Sequence, residues 1–158
     1  MTADDIRVYI MVKRIALGAD HAGFESKENI KKTLDELGIE YDDLGTSSSD
    51  SVDYPDFAAR VAGKVGSGEY EQGLLVCGSG TGMAIAANKV KGVRAAVAWS
   101  PDIARLAREH NNANVLAVPG RFTSESEAAE IVKAFFNANF EGGRHEKRVE
   151  KITELENR

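Results

Sequence analysis

Five short apolar runs recur along this chain, each followed by a segment with helical spacing, and that alternation limits what it can fold into. The runs are Arg14–Asp20, Ile39–Leu44, Gly73–Cys77, Arg94–Trp99 and Val115–Pro119. Between the first two, Phe24, Ile30, Leu34 and Leu37 mark one face of a helix that Gly38 stops. A second helix carries Phe57, Val61 and Val65 and ends at Gly66-Ser67-Gly68; a third spans Met83 to Val90. Ser100 caps a fourth helix over Pro101–His110, with proline in its first turn. A fifth helix covers Ser124–Asn137, and a charged last one runs from Arg144 to about Glu156. Strand and helix in strict alternation give a parallel sheet covered on both faces. The expected fold is α/β: a three-layer αβα sandwich around a five-stranded parallel sheet, Rossmann-like in build.

Length and composition fit one globular unit. The chain has 158 residues, 42% hydrophobic and 28% charged, enough for a single core. Residues 1–12 read as an N-terminal extension and 13–158 as the domain. A net charge of -5 argues against a general nucleic-acid or membrane-surface role. One cysteine excludes an internal disulfide and suits a reducing compartment. The start, Met1-Thr2-Ala3-Asp4-Asp5, is acidic where a signal peptide is basic, so a cytoplasmic location is expected.

That cysteine, Cys77, ends an apolar run and is followed by Gly78-Ser79-Gly80-Thr81-Gly82. A parallel sheet places such a residue at the carboxyl end of a strand, where ligands bind. The loop amides and the following helix N-terminus then face an anion. A thiol in such surroundings has a lowered pKa and can take a proton, with the amides stabilising the oxyanion that forms. The bland alternative is an inert buried thiol. The loop lacks the Gly-Lys-Ser/Thr ending of a Walker motif and is no full dinucleotide fingerprint.

Other candidate groups lie at strand ends and loop starts. His21 follows Asp20 after the first strand, His110 closes the fourth helix before Asn111, and His145 follows Gly142-Gly143-Arg144. Arg144 and Arg148 share a face of the last helix and, with Arg121, can form a phosphate clamp. Their plain alternative is a solvated basic face paired with Glu141, Glu146 and Glu150. No His-x-His, His-Glu-x-x-His or cysteine pair occurs, so neither a metal nor another cofactor is expected. The apolar stripe of the last helix, Val149, Ile152 and Leu155, is too thin for a core helix; packing against a second subunit is expected.

Six ordered blocks give the chain a resemblance. These are Gly18-Ala19-Asp20-His21-Ala22-Gly23, Asp53-Tyr54-Pro55, Cys77 to Gly82, Ile85-Ala86-Ala87-Asn88-Lys89, His110 to Asn114, and Gly142 to His145. Over about Lys13 to Glu156 the chain resembles the type B ribose-5-phosphate isomerases, within a wider group that includes galactose-6-phosphate isomerases. The resemblance implies a metal-free aldose–ketose isomerase of the pentose phosphate pathway. It implies ring opening by Asp20 and His110, proton transfer by Cys77, and enediolate binding by Ser79 and the amides of Gly78, Gly80, Thr81 and Gly82. His21, Arg121, Arg144 and Arg148 would hold the phosphate, with Tyr54, Asn111 and His145 lining the pocket. It also implies a homodimer with shared sites, with or without pairing into a tetramer. Where some relatives carry a glutamate in the glycine-loop region, this chain has Met83, which leaves Cys77 as the base.

Three other readings compete. One is an isomerase of a six-carbon phosphosugar, such as allose 6-phosphate or galactose 6-phosphate. Another is a non-catalytic phosphosugar-sensing domain, which has no need of both Cys77 and His110. The third is a cysteine hydrolase with Cys77 as nucleophile and His110 as base.

Overall fold

The structure, a computed structural model, describes residues 14–158; the expected 1–12 extension lies outside the described residues. Five strands alternate with six helices among them. They are β1 (Arg14–Ala19), α1 (Phe24–Glu36), β2 (Glu40–Asp43), α2 (Tyr54–Gly66), β3 (Gly73–Cys77) and α3 (Thr81–Ala87). The rest are β4 (Ala95–Val97), α4 (Pro101–Asn111), β5 (Val115–Pro119), α5 (Glu125–Asn137) and α6 (Arg144–Leu155). All strand pairs are parallel, in the order β2-β1-β3-β5-β4. The expected αβα sandwich is the observed one.

Strand alternation divides the core into two layers. Leu74 and Val76 of β3 pack with Ile30, Leu34, Ile131 and Phe135 from α1 and α5. Leu75 and Cys77 face the other way, onto Val61 and Val65 of α2 and Met83 and Ala87 of α3. The thiol therefore points to the side from which the glycine loop enters α3.

Two elements are shorter than their sequence pattern. Helix α3 stops at Ala87 because Asn88 turns its side chain onto β4, accepting from the Ala95 amide (2.7 Å) and donating to the Ala95 carbonyl (2.9 Å). The expected strand Arg94–Trp99 narrows to Ala95–Val97. Arg94 is drawn out of the ladder: its amide donates to Asn114 Oδ1 and its Nε to the Asn112 carbonyl. Side-chain amides thus set both boundaries.

The chain winds to either side of the sheet between β1 and β3, which opens a crevice at their carboxyl ends. Gly23 forms its floor. A Cβ at this position would lie 2.2 Å from the Val76 carbonyl oxygen, so only glycine lets α1 begin this close to β3. Gly23→Ala is expected to cost about 1–3 kcal/mol by forcing the two backbones apart. Urea unfolding checks this, and an unchanged midpoint would show that the floor has room.

Candidate active site

Asp20 and Cys77 reach the crevice from its two flanking strands. Asp20 follows β1 and is buried; its Oδ1 accepts from the Gly23 amide at 2.9 Å, and its own amide donates to the Val76 carbonyl. Cys77 closes β3 and is 4% exposed. Burial pushes its thiol pKa above the ordinary value; the amides of Met83, Gly80 and Ser79 pull it down, and the Asp20 carboxylate adds to the rise. The lowering expected from the sequence is thus reversed. Helix α3 has only seven residues, a small dipole, and cannot offset removal of the sulfur from water.

The glycine loop wraps this sulfur. Gly80 adopts φ 79°, a left-handed conformation that favours glycine, and lies against Val97 and the Val118–Pro119 backbone. The Thr81 amide donates to Ser79 Oγ at 3.3 Å. The end of β5 closes over the loop: Gly120 donates to the Cys77 carbonyl and Arg121 to that of Gly78. The Arg121 side chain passes beside Gly78. Tyr54, at the start of α2, lays its ring against Gly82. His21 Nδ1 accepts from the Val52 amide at 3.1 Å, which leaves Nε2 to carry the proton of the neutral ring. Asp20, His21, Tyr54, Cys77, Gly78 to Gly82 and Arg121 thus form one constellation.

His110, Asn111, Arg144, His145 and Arg148 form another. Helix α4 runs back against the strands, so its last turn reaches the amino end of the sheet, where Asn114 accepts from the Gly73 amide. Gly73 and Cys77 are four residues apart along β3, about 13 Å of strand. His110 and Cys77 therefore stand at opposite ends of the sheet, which rules out a hydrolase dyad within one chain. For the same reason Arg121 does not join Arg144 and Arg148 in a clamp on a single chain. No carboxylate among the described residues pairs with these three arginines. Glu141 instead faces His110 and His145, at 3.9 and 3.8 Å.

The two histidine rings stack, centroids 4.2 Å apart and 14° from parallel. Burial, followed by His110 and Arg144, pushes the His145 pKa below its usual value. The ligand atoms of His110, Glu141 and His145 lie within 4.8 Å of one another, a cluster that sequence spacing did not reveal. Stacked rings send their in-plane lone pairs side by side, an arrangement unlike the convergent one a tetrahedral metal needs. Asn112 and Asn114 are scaffold. Asn112 takes the left-handed cap of α4 at φ 49°, and Asn114 Nδ2 donates to the Gly92 carbonyl.

Fold and crevice define a doubly wound α/β protein with a buried thiol wrapped by a glycine-rich loop. The chain belongs to the Ribose/Galactose Isomerase family, whose profile matches residues 15–152. It is 48% identical over 147 residues to ribose-5-phosphate isomerase B of Escherichia coli K12, covering 93% of this chain and 99% of that one. Among solved structures, ribose-5-phosphate isomerase B of Clostridium thermocellum superposes with TM-score 0.89 at 47% identity, over 91% of this chain and 97% of the other. The enzyme from Mycoplasma genitalium, solved with bound ribulose-5-phosphate, gives 0.87 at 45% identity over 91% and 96%. Among the described residues no helix is long and apolar enough to cross a membrane.

The raised thiol pKa has a direct readout. Alkylation of Cys77 by iodoacetamide in the free protein should rise with pH through a midpoint above about 8.5, the ordinary thiol value. A midpoint below 8 would contradict the dominance of burial.

Proposed function

We propose that this chain interconverts ribose 5-phosphate and ribulose 5-phosphate in the pentose phosphate pathway of the cytoplasm, through an enediolate and without a metal. The observation that carries this reading is the buried Cys77 thiol between the Asp20 carboxylate and the amides of Ser79, Gly80 and Met83. Proton transfer next to a carbonyl needs a base and donors for the oxyanion it creates, and the crevice contains both.

Two copies build each site. The first supplies Asp20, His21, Tyr54, Cys77, Ser79, the loop amides and Arg121; the partner supplies His110, Asn111, Arg144, His145 and Arg148. Separation of the two constellations to opposite ends of one sheet supports this. So does helix α6, which leaves Ile152 41% and Leu155 58% exposed beside an apolar groove of about 620 Å³ lined by Val90, Val93 and Ala113. Covering such a patch favours association. The product is a homodimer.

In the reaction, Asp20 from one side and His110 from the other move the proton between the ring oxygen and O1. Cys77 then takes the proton from C2 and returns it to C1, while Ser79 Oγ and the loop amides hold the charge on the two oxygens. His21 donates through Nε2 to the phosphate, and Arg121, Arg144 and Arg148 neutralise it. Guanidinium groups arriving from the partner also offset the cost of forming a thiolate in this buried place. Holding the phosphate lets remote binding energy align the reacting carbons. Residues 1–12 form an extension outside the 13–158 domain and take no part.

The test uses EDTA-treated protein, ribose 5-phosphate, and ketose absorbance. Turnover is expected, with loss of at least about a thousandfold in Cys77→Ala and phosphosugar binding kept within a few fold. Substantial turnover in Cys77→Ala would exclude the thiol as base, and a folded dimer active only on a six-carbon phosphosugar would move the substrate assignment.

A further inference from the structure

Lys27 is fully buried, and no step above uses it. Its setting in α1, Glu25-Ser26-Lys27-Glu28, is that of an ordinary solvated lysine. Instead its Nζ is sunk beneath the loop that follows β2. It donates to Asp43 Oδ1 and Oδ2 at 2.7 and 2.6 Å and to the Thr46 carbonyl at 2.7 Å. A buried ammonium is costly and persists only when its donors are satisfied. Here its three hydrogen bonds all go to one object, the root of that loop, while the Glu28 carboxylate of the same helix lies 3.6 Å away.

The loop is what holds the phosphate-side face of the crevice. Its root is tied to β1, where Gly45 accepts from the Ala19 amide and Thr46 donates to the Ala19 carbonyl. Asp43 Oδ1 also accepts from the Gly45 amide at 2.9 Å. Six residues past Thr46, the Val52 amide donates to His21 Nδ1, and Tyr54 follows with its ring on Gly82. His21 sits on the opposite flank, one residue beyond Asp20. Its ring orientation and tautomer therefore depend on where the loop sets Val52.

We propose that Lys27 is a positioning residue for His21. Its ammonium clamps the Asp43–Thr46 loop root, so the Val52 amide stays on Nδ1 and the His21 proton stays on Nε2, facing the phosphate. The inference rests on the reading of His21 as a phosphate donor. Its energetic logic is that of an outer-shell group: it touches no substrate, yet it fixes the geometry of one that does.

The test is Lys27→Met, which keeps the volume and removes the charge. Asp43 still pairs with Lys31 at 2.8 Å, so no buried carboxylate is orphaned and the fold should survive. Long-range proton–nitrogen correlation of the His21 ring should give a single Nε2–H tautomer in the unaltered protein and a mixture in the variant. KM for ribose 5-phosphate should rise about tenfold, with kcat changing much less. Val132→Ala, a core truncation on α5 far from the loop, is the control for general loosening, and it should alter neither readout. A single Nε2–H tautomer in folded Lys27→Met overturns the proposal whatever the activity, and so does a tautomer mixture in the Val132→Ala control. If Lys27→Met does not fold, Asp43→Asn carries the same readout, because it removes the charge that draws Lys27 to the loop root. His21→Ala separates the two claims: an unchanged KM there defeats the phosphate-donor reading, whereas a raised KM with an unmoved Lys27→Met tautomer defeats only the clamp.

Discussion

All five strands point the same way, and the rest of the molecule follows from that polarity. Parallel pairing returns every crossover helix to the amino end of the sheet, so residues at strand carboxyl ends and residues at helix carboxyl ends are kept apart. Cys77, Asp20, His21 and Arg121 fall on one edge; His110 and the start of α6 fall on the other. Neither edge has a full set of groups for isomerising a phosphosugar. In the proposed reaction one supplies the base and the oxyanion donors, the other a stacked histidine pair and two guanidinium groups that have no carboxylate partner among the described residues. In the proposed homodimer a second copy, turned so that unlike edges meet, would unite them.

The same geometry explains an apparent conflict at the thiol. Burial at the end of β3 holds Cys77 protonated, while proton abstraction needs a thiolate. The loop amides reduce the penalty without cancelling it. In the proposed shared site the bound substrate completes the environment, so the thiol is quiet in the free protein and competent once the phosphosugar is held. Asp20 sharpens the contrast, since its carboxylate opposes ionisation of the sulfur.

Much of this was legible in the sequence, and the exceptions share a cause. Strand and helix order, the place of Cys77 and the glycine at position 80 follow from periodicity and local backbone demands. The short β4 and α3 do not, because Asn88 reads as part of a longer helix and Asn114 as part of a motif block until their side chains are seen holding Ala95, Arg94 and Gly92. The direction of the Cys77 shift escaped for a similar reason: a helix start is visible in sequence, but the depth of burial is not. Lys27 is the sharpest case. Nothing in Glu25-Ser26-Lys27-Glu28 marks a buried ammonium, and its hydrogen-bond partners, Asp43 and Thr46, lie 16 and 19 residues away. The stacked pair joins His110 to His145 across a still longer separation, with Glu141 beside both.

Mixed-dimer complementation tests the shared site most directly. Cys77→Ala and His110→Ala, each inactive alone, are unfolded together in equal amounts, refolded, and assayed on ribose 5-phosphate. A site built from both copies predicts recovery of roughly a quarter of the unaltered activity. Half of the dimers are then mixed, and each mixed dimer holds one intact site and one doubly altered site. No recovery in a mixture shown by mass to contain the mixed dimer would contradict the shared site and return both residues to a single chain.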